Sequence, residues 1–211
     1  MKVSVVKCVL GIALPVLCMM PASAYASTIF SENFETATVG LNVTTAGAFT
    51  AQNGTNVDVL GGATYGYLCA GPTSGQCVDL GGTGGDAAGN LGLTNELNLA
   101  SGTYYLSFDL IGSGRDQDTS TTVNFGNYSQ TFLLTSSDIT SGIVVNQAVT
   151  VTGGPTQLQF LSNGIGNQNI GAILDNISIS DASPVPEPGT LGLMATGLLG
   201  AAGFIRRRFL A

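Results

Sequence analysis

The stretch Thr103–Leu110, Thr-Tyr-Tyr-Leu-Ser-Phe-Asp-Leu, decides the fold class. Tyr104, Leu106, Phe108 and Leu110 recur at every second position, with Tyr105, Ser107 and Asp109 between them. A period of two puts the first set on one side of an extended strand and the second set on the other, as in an antiparallel sheet buried on one face. Thr156–Leu161 repeats the pattern, with Leu158 and Phe160 alternating with Gln157 and Gln159. Further strands are expected at Thr28–Phe34, Ala46–Gln52, Asn56–Leu60, Tyr65–Cys69 and Gln76–Leu80. The second half adds Ser120–Phe125, Ser129–Leu134, Ile143–Thr152 and Ile170–Ser180. Turn-formers such as Asn53-Gly54, Gly61-Gly62, Gly112-Ser113-Gly114 and Gly153-Gly154-Pro155 separate them. Beyond a turn near Ser136–Ile139, no window has helical periodicity. Short strands at this spacing predict an all-β domain, a two-sheet antiparallel sandwich.

The flanks read differently. Lys2 and Lys7 precede an apolar run, Val9–Met20, which Pro21 ends. Two overlapping small-x-small sites follow, Ala22-Ser23-Ala24 and Ala24-Tyr25-Ala26. Residues 1–26 are therefore expected to be a secretory signal peptide, cleaved after Ala26. The domain then covers residues 27–183. Residues 184–211 open with Pro186-Glu187-Pro188, which is extended because proline fixes φ and donates no hydrogen bond. An uncharged run follows, with a helix expected at about residues 190–205, and then Arg206, Arg207 and Arg208. From Gly189 the run is roughly 25 Å long as a helix, just enough to span a hydrocarbon core of about 30 Å. The arginines would hold its end on the cytoplasmic side.

The order Pro-Glu-Pro, short span, arginine cluster resembles the PEP-CTERM sorting signal of bacterial exosortase substrates. That resemblance implies export through the secretion machinery and transient anchoring in the inner membrane of a Gram-negative bacterium. The exosortase then removes the tail near Pro186-Glu187-Pro188, leaving the protein at the cell surface or in an exopolysaccharide biofilm matrix. Within the domain, Phe30–Glu35 and Ala172–Ser178 resemble the first and last strands of jelly-roll domains of the galactose-binding or carbohydrate-binding-module kind. Cys77–Gly82 and the run Leu106–Arg115 look like stretches of exosortase-substrate ectodomains. A jelly-roll-like sandwich and a polysaccharide partner are what these resemblances imply.

Charge narrows the partners. Between the two signals Arg115 is the one basic residue, against twelve acids, a balance of −11. Nucleic acid is excluded as a partner, because its recognition depends on Lys and Arg neutralising phosphates. The chain has no His, and the mature domain no Lys, so neither a Ser-His-Asp nor a Cys-His arrangement can form. No catalytic residue is assigned. A carboxylate pair of the glycosidase type is the enzymatic alternative. Cys69 and Cys77 flank a Gly-Pro-Thr-Ser-Gly turn, and in an oxidising compartment they are expected to form a disulfide closing a hairpin. A short loop of this kind gains about 2–3 kcal/mol by the chain-entropy model.

Two groups of polar residues stand out. Asp175 shares parity with Ile173, Ile177 and Ile179, and Glu32 with Phe30 and Phe34, which aims both carboxylates inward. A buried carboxylate needs partners. The jelly-roll resemblance implies a structural Ca²⁺ held by Glu32 or Glu35 with Asp175; the plainer alternative is Asp175 bonding backbone donors near a strand end. The loop Gly112–Asp118 places Arg115 beside Asp116 and Asp118, either as a local ion pair or as the polar groups a sugar needs. The expectation is an exported, exosortase-sorted surface or matrix protein whose sandwich binds glycan. A secreted glycan-active enzyme and a ligand-free structural surface protein are the alternatives.

Overall fold

The computed structural model describes residues 27–84, 88–164, 167 and 169–181. The expectations for the leader, the Pro-Glu-Pro motif, the helix at 190–205 and Arg206–Arg208 lie outside those residues. Among the described residues no helix is long and apolar enough to cross a membrane.

The described residues form fifteen strands. The first five are β1 (Thr28–Glu32), β2 (Gly40–Val43), β3 (Thr45–Ala46), β4 (Phe49–Ala51) and β5 (Val57–Leu60). Then come β6 (Cys77–Asp79), β7 (Asn90–Leu93), β8 (Leu97–Leu99), β9 (Gly102–Ile111) and β10 (Thr119–Phe125). The last are β11 (Tyr128–Leu134), β12 (Gly142–Val151), β13 (Gly154–Thr156), β14 (Leu158–Ser162) and β15 (Ile173–Ser180). One sheet runs β12-β9-β15-β6-β5-β2, with β1 also paired to β15; the other runs β11-β10-β14-β7-β4-β3. Every pairing is antiparallel, and β13 and β8 form a small separate ribbon. The two-sheet antiparallel sandwich expected from the alternation is the observed architecture.

Tyr104, Leu106, Phe108 and Leu110 all point into the core between the sheets. Leu158 and Phe160 meet them from the opposite sheet. Phe108 packs edge-on against Phe160 at 5.3 Å and Phe132 at 5.7 Å between ring centres. Phe49 extends the chain of rings to Phe160, Phe34 and Phe30. Truncating such a ring costs about 3–5 kcal/mol through lost burial and the cavity left behind.

One predicted strand is absent. Tyr65–Cys69 forms a single 3-10 turn at Gly66–Leu68, and a second lies at Gly71–Thr73. The cause is local: Tyr65 sits in the left-handed region with φ 53°, and the Leu68 N–H bonds back to its carbonyl at 2.9 Å. The expected hairpin is therefore replaced by a folded loop, but its disulfide is present, with Cα atoms of Cys69 and Cys77 5.7 Å apart. β2, β7, β8 and β13 lie outside the expected strands: each is short, Gly92 interrupts the apolar pattern of β7, and β13 runs through the expected Gly153-Gly154-Pro155 turn by pairing with β8. The expected strand Ala46–Gln52 is two, β3 and β4, because the chain turns at Gly47, which has φ 55°.

Candidate functional site

The two sheets present very different outer faces. On the seven-stranded sheet the outer face is roofed by residues 61–76. Under that roof Leu60, Leu68, Cys69, Cys77, Ile111 and Ile173 form a second apolar cluster, apart from the main core. Two pairs of acids flank it, because the strand register sets Asp109 opposite Asp175 and Asp58 opposite Asp79.

The parity expected for Asp175 is corrected by a bulge. The β15–β9 register slips between Asp175 and Ser178, where Asn176 adopts φ 50°. One extra residue flips the alternation. Leu174, Ile177 and Ile179 thus enter the main core, while Ile173 and Asp175 face the roof. Asp175 is 1% exposed and accepts the Asn176 N–H at 2.7 Å. The Asn176 side chain donates to the Pro72 carbonyl at 2.7 Å and to Asp109 at 2.9 Å, tying the roof to the sheet. Burial pushes the Asp175 carboxyl up to about 7; the amide opposes this, and Glu35, Asp109 and Glu32 add repulsion.

Glu32 and Glu35 are near enough for Asp175 to feel their charge, yet each has its own partners. Glu32 accepts the N–H groups of Phe34 at 2.8 Å and Ala48 at 2.7 Å. Its carboxylate lies where a Cβ on Gly47 would be, and Gly47 has φ +55°, so glycine is required there twice over. Glu35 accepts the Gln76 N–H at 2.9 Å and returns its carbonyl to the Gln76 amide, fastening the far end of the roof. The oxygen donors suit Ca²⁺ in kind. Among the described residues, however, no three His, Cys, Asp or Glu side chains gather closely enough to hold an ion. Each of the Glu32, Glu35 and Asp175 carboxylates instead fastens backbone N–H groups.

Arg115 pairs across the fold rather than with its sequence neighbours Asp116 and Asp118. It crosses to Asp79, which is 1% exposed, and its other terminal nitrogen donates to the Asn169 carbonyl at 3.4 Å. Asp79 also accepts the N–H groups of Gly81 at 2.9 Å and Gly171 at 2.8 Å. Burial pushes the Asp79 carboxyl up to about 7 while Arg115 and the two amides pull it down, and Asp58 adds repulsion. Neighbouring Asp58 accepts from the Asn42 N–H at 2.7 Å and from the Thr83 N–H and hydroxyl. Gln117 and Asn167 exchange two hydrogen bonds, at 2.9 and 2.7 Å. The Gly112–Asp118 loop is thus a clamp across three chain segments. Asp118 accepts the Ser136 N–H, and Asp138 those of Thr140 and Ser141; the Ser141 and Thr140 bonds hold the Asp138 carboxyl below its ordinary range.

The outer face of the six-stranded sheet is open. From edge to edge it presents Ser129, Asn124, Gln159, Gly92 and Thr50 in one row, and Thr131, Thr122, Leu161 and Asn90 in the next. Among the described residues no acid or base stands on it. Thr122 and Thr131 hydroxyls meet at 2.8 Å, and Gln159 donates to Gln52 at 2.9 Å. At one end of the sandwich a cleft of about 480 Å³ is lined by Asn127, Thr150, Thr152, Pro155 and Gln157 among others, and none of its residues is a carboxylate. The buried Gln157 Oε1 at this cleft has no partner. A carboxylate pair for glycoside cleavage therefore has no place in that cleft.

Sequence reading missed the roof, because its residues form no periodic element. The signal was available in composition: from Val59 to Val78 the chain carries no charge.

Comparison with known proteins adds two findings. Residues 184–208 match the PEP-CTERM protein-sorting motif. The sandwich is similar to the N-terminal CBM22-1–CBM22-2 tandem domain of Paenibacillus barcinonensis Xyn10C, with 17% identity and a TM-score of 0.50, covering 81% of this chain and 50% of that one. It is also similar to the xylan-binding CBM22-1 domain of the same protein, at 15% identity and TM-score 0.47, over 78% and 100% of the two chains. An exo-β-1,3-galactanase from Phanerochaete chrysosporium matches at 18% identity and TM-score 0.39, over 74% of this chain; the chain spans 29% of that enzyme's length. At these identities the likeness is one of fold. No curated protein matches the sequence.

Proposed function

We propose that this chain is an exosortase substrate whose β-sandwich binds a neutral polysaccharide at the cell surface or in the extracellular matrix of a Gram-negative bacterium. The observation that carries the reading is the PEP-CTERM protein-sorting motif at residues 184–208, directly after a domain that ends at the surface with β15. The motif marks the chain for export and sorting; the chemistry of the domain supports the ligand class. Its one base is committed to Asp79, and its acids outnumber it by eleven, so an anionic chain would be repelled. Hydroxyl and amide side chains on an uncharged sheet suit a polyhydroxylated neutral ligand, which is recognised through hydrogen bonds placed on a rigid scaffold.

The test follows the protein through the cell. In a strain with its exosortase, the tail should be cut near Pro186-Glu187-Pro188 and the domain recovered outside the cell; without the exosortase, it should stay in the inner membrane with its tail intact. Changing Arg206, Arg207 and Arg208 together to neutral residues should give exported protein with an uncut tail, read by mass spectrometry, because charged residues resist passage through the bilayer. Cytoplasmic, unprocessed protein in both strains would overturn the sorting reading.

A further inference from the structure

We propose that Tyr65 and Tyr67 form a stacking platform for the pyranose rings of a neutral polysaccharide, held in place by the disulfide-stapled roof. The proposal rests on the neutral-glycan reading and names the surface that carries it. Among the described residues every other aromatic side chain is buried or half-buried, while Tyr65 is 45% and Tyr67 74% exposed. The two exposed rings are also neighbours, 6.2 Å between centres at an interplanar angle of 63°. Two phenol rings left in water beside one another are what an interface needs: a broad apolar face and a polar rim, with few rotatable bonds to order on binding.

The backbone beneath them is built to hold that arrangement. Tyr65 has φ 53°, a conformation uncommon for a bulky residue, which persists only where its surroundings impose it. Gly61 and Thr64 exchange hydrogen bonds at 3.1 and 2.9 Å on one side of it. On the other side Leu68, 4% exposed, is sunk in the apolar cluster with Cys69, whose disulfide to Cys77 fixes the loop to β6. Gly66 lies so close to Gly61 that a Cβ would come within 3.0 Å of its carbonyl carbon. Both rings therefore project from a loop anchored on each side.

Charge selects the occupant. The loop has no charged residue from Val59 to Val78, in a domain whose balance is strongly negative. Phosphate and acidic sugars find no cation on the loop. A sugar ring with a face of axial C–H groups and a rim of hydroxyls matches the phenol face and its rim.

The experiment uses the protein as it is recovered after export. Retention by xylan, cellulose, mixed-linkage β-glucan and galactan is compared with retention by anionic alginate, in pull-down and in polysaccharide-loaded native gels. The chain has no Trp, so its intrinsic emission comes from its tyrosines, of which Tyr65 and Tyr67 are the exposed ones among the described residues, and the Tyr67→Ala chain shows how much of any change belongs to that ring. The expected result is retention by at least one neutral polymer with a change in tyrosine emission. Tyr67→Ala should weaken it about tenfold or more with an unchanged thermal midpoint, and Tyr65→Phe should preserve it. If the unaltered chain binds none of the polymers, the neutral-glycan reading falls, and this proposal with it. If it binds and Tyr67→Ala binds equally well, the platform alone is overturned. Loss of binding in Thr131→Ala or Gln159→Ala with Tyr67→Ala unaffected would overturn it in favour of the open face of the six-stranded sheet.

Discussion

The two outer faces of this sandwich are made by the same kind of strand and have opposite chemistry. One is roofed, and beneath or beside the roof lie Asp58, Asp79, Asp109 and Asp175; the other is open and carries hydroxyls and amides without charge. Water explains the difference. An uncharged polar face on an antiparallel sheet is satisfied by solvent and needs no cover. A roofed face loses that solvent, so its polar groups must be bonded internally, and its acids become the fasteners that hold loops down. Charge in this domain is therefore mostly structural where it is buried.

Arg115 is the sharpest place to break that contrast. Arg115→Ala leaves Asp79 buried without its cation, and unpairing such a group costs about 3–5 kcal/mol. Denaturant unfolding should show this loss at pH 8 and a smaller one at pH 5, where Asp79, raised to about 7, takes up a proton. Adding Asp79→Asn to the same chain should recover part of the loss. An Arg115→Ala chain as stable as its parent would mean that the clamp is decorative.

Asp175 tests the other flank of the roof. Its folded value of about 7 lies above the ordinary 3.8, so the folded state holds the proton more tightly than the unfolded chain. The stabilisation that results is complete below about pH 4 and is lost as pH rises through 7. Asp175→Asn, which keeps the shape and loses the charge, should match the parent at pH 4 and exceed it by about 2–4 kcal/mol at pH 8. Parallel pH profiles for the two chains would remove the charge strain assigned here.

On the open face the effects should be small. Thr131→Ala removes one hydroxyl from the exposed Thr122–Thr131 pair, and cross-strand pairs of this kind are worth about 0.2–1 kcal/mol. A loss well above that in thermal unfolding would show that this face, too, is part of the architecture.

The alternation Tyr104, Leu106, Phe108, Leu110 was enough to place β9 and, with its repeats, to specify an antiparallel sandwich, because a side-chain period of two has only one folded interpretation. The disulfide and the sorting motif were equally legible, since spacing and order carry both. The candidate site was less so. Arg115 stands next to Asp116 and Asp118 in sequence, but folding gives it Asp79, thirty-six residues away. Asp175 follows the parity of Ile177 and Ile179 in sequence, but one bulged residue, Asn176, puts them on opposite faces.

By itself, then, the sequence determined what depends on local periodicity and on the order of motifs: the long alternating strands, the antiparallel sandwich they build, and the address written in residues 184–208. Only the tertiary structure decided which acids are fasteners, where the one domain arginine goes, and that Tyr65 and Tyr67 stand in water while every other described aromatic is buried or half-buried. The physical reason is range. Periodicity is imposed by neighbours a few positions away, whereas burial, pairing and exposure are set by which distant segment arrives on the other side of the strand.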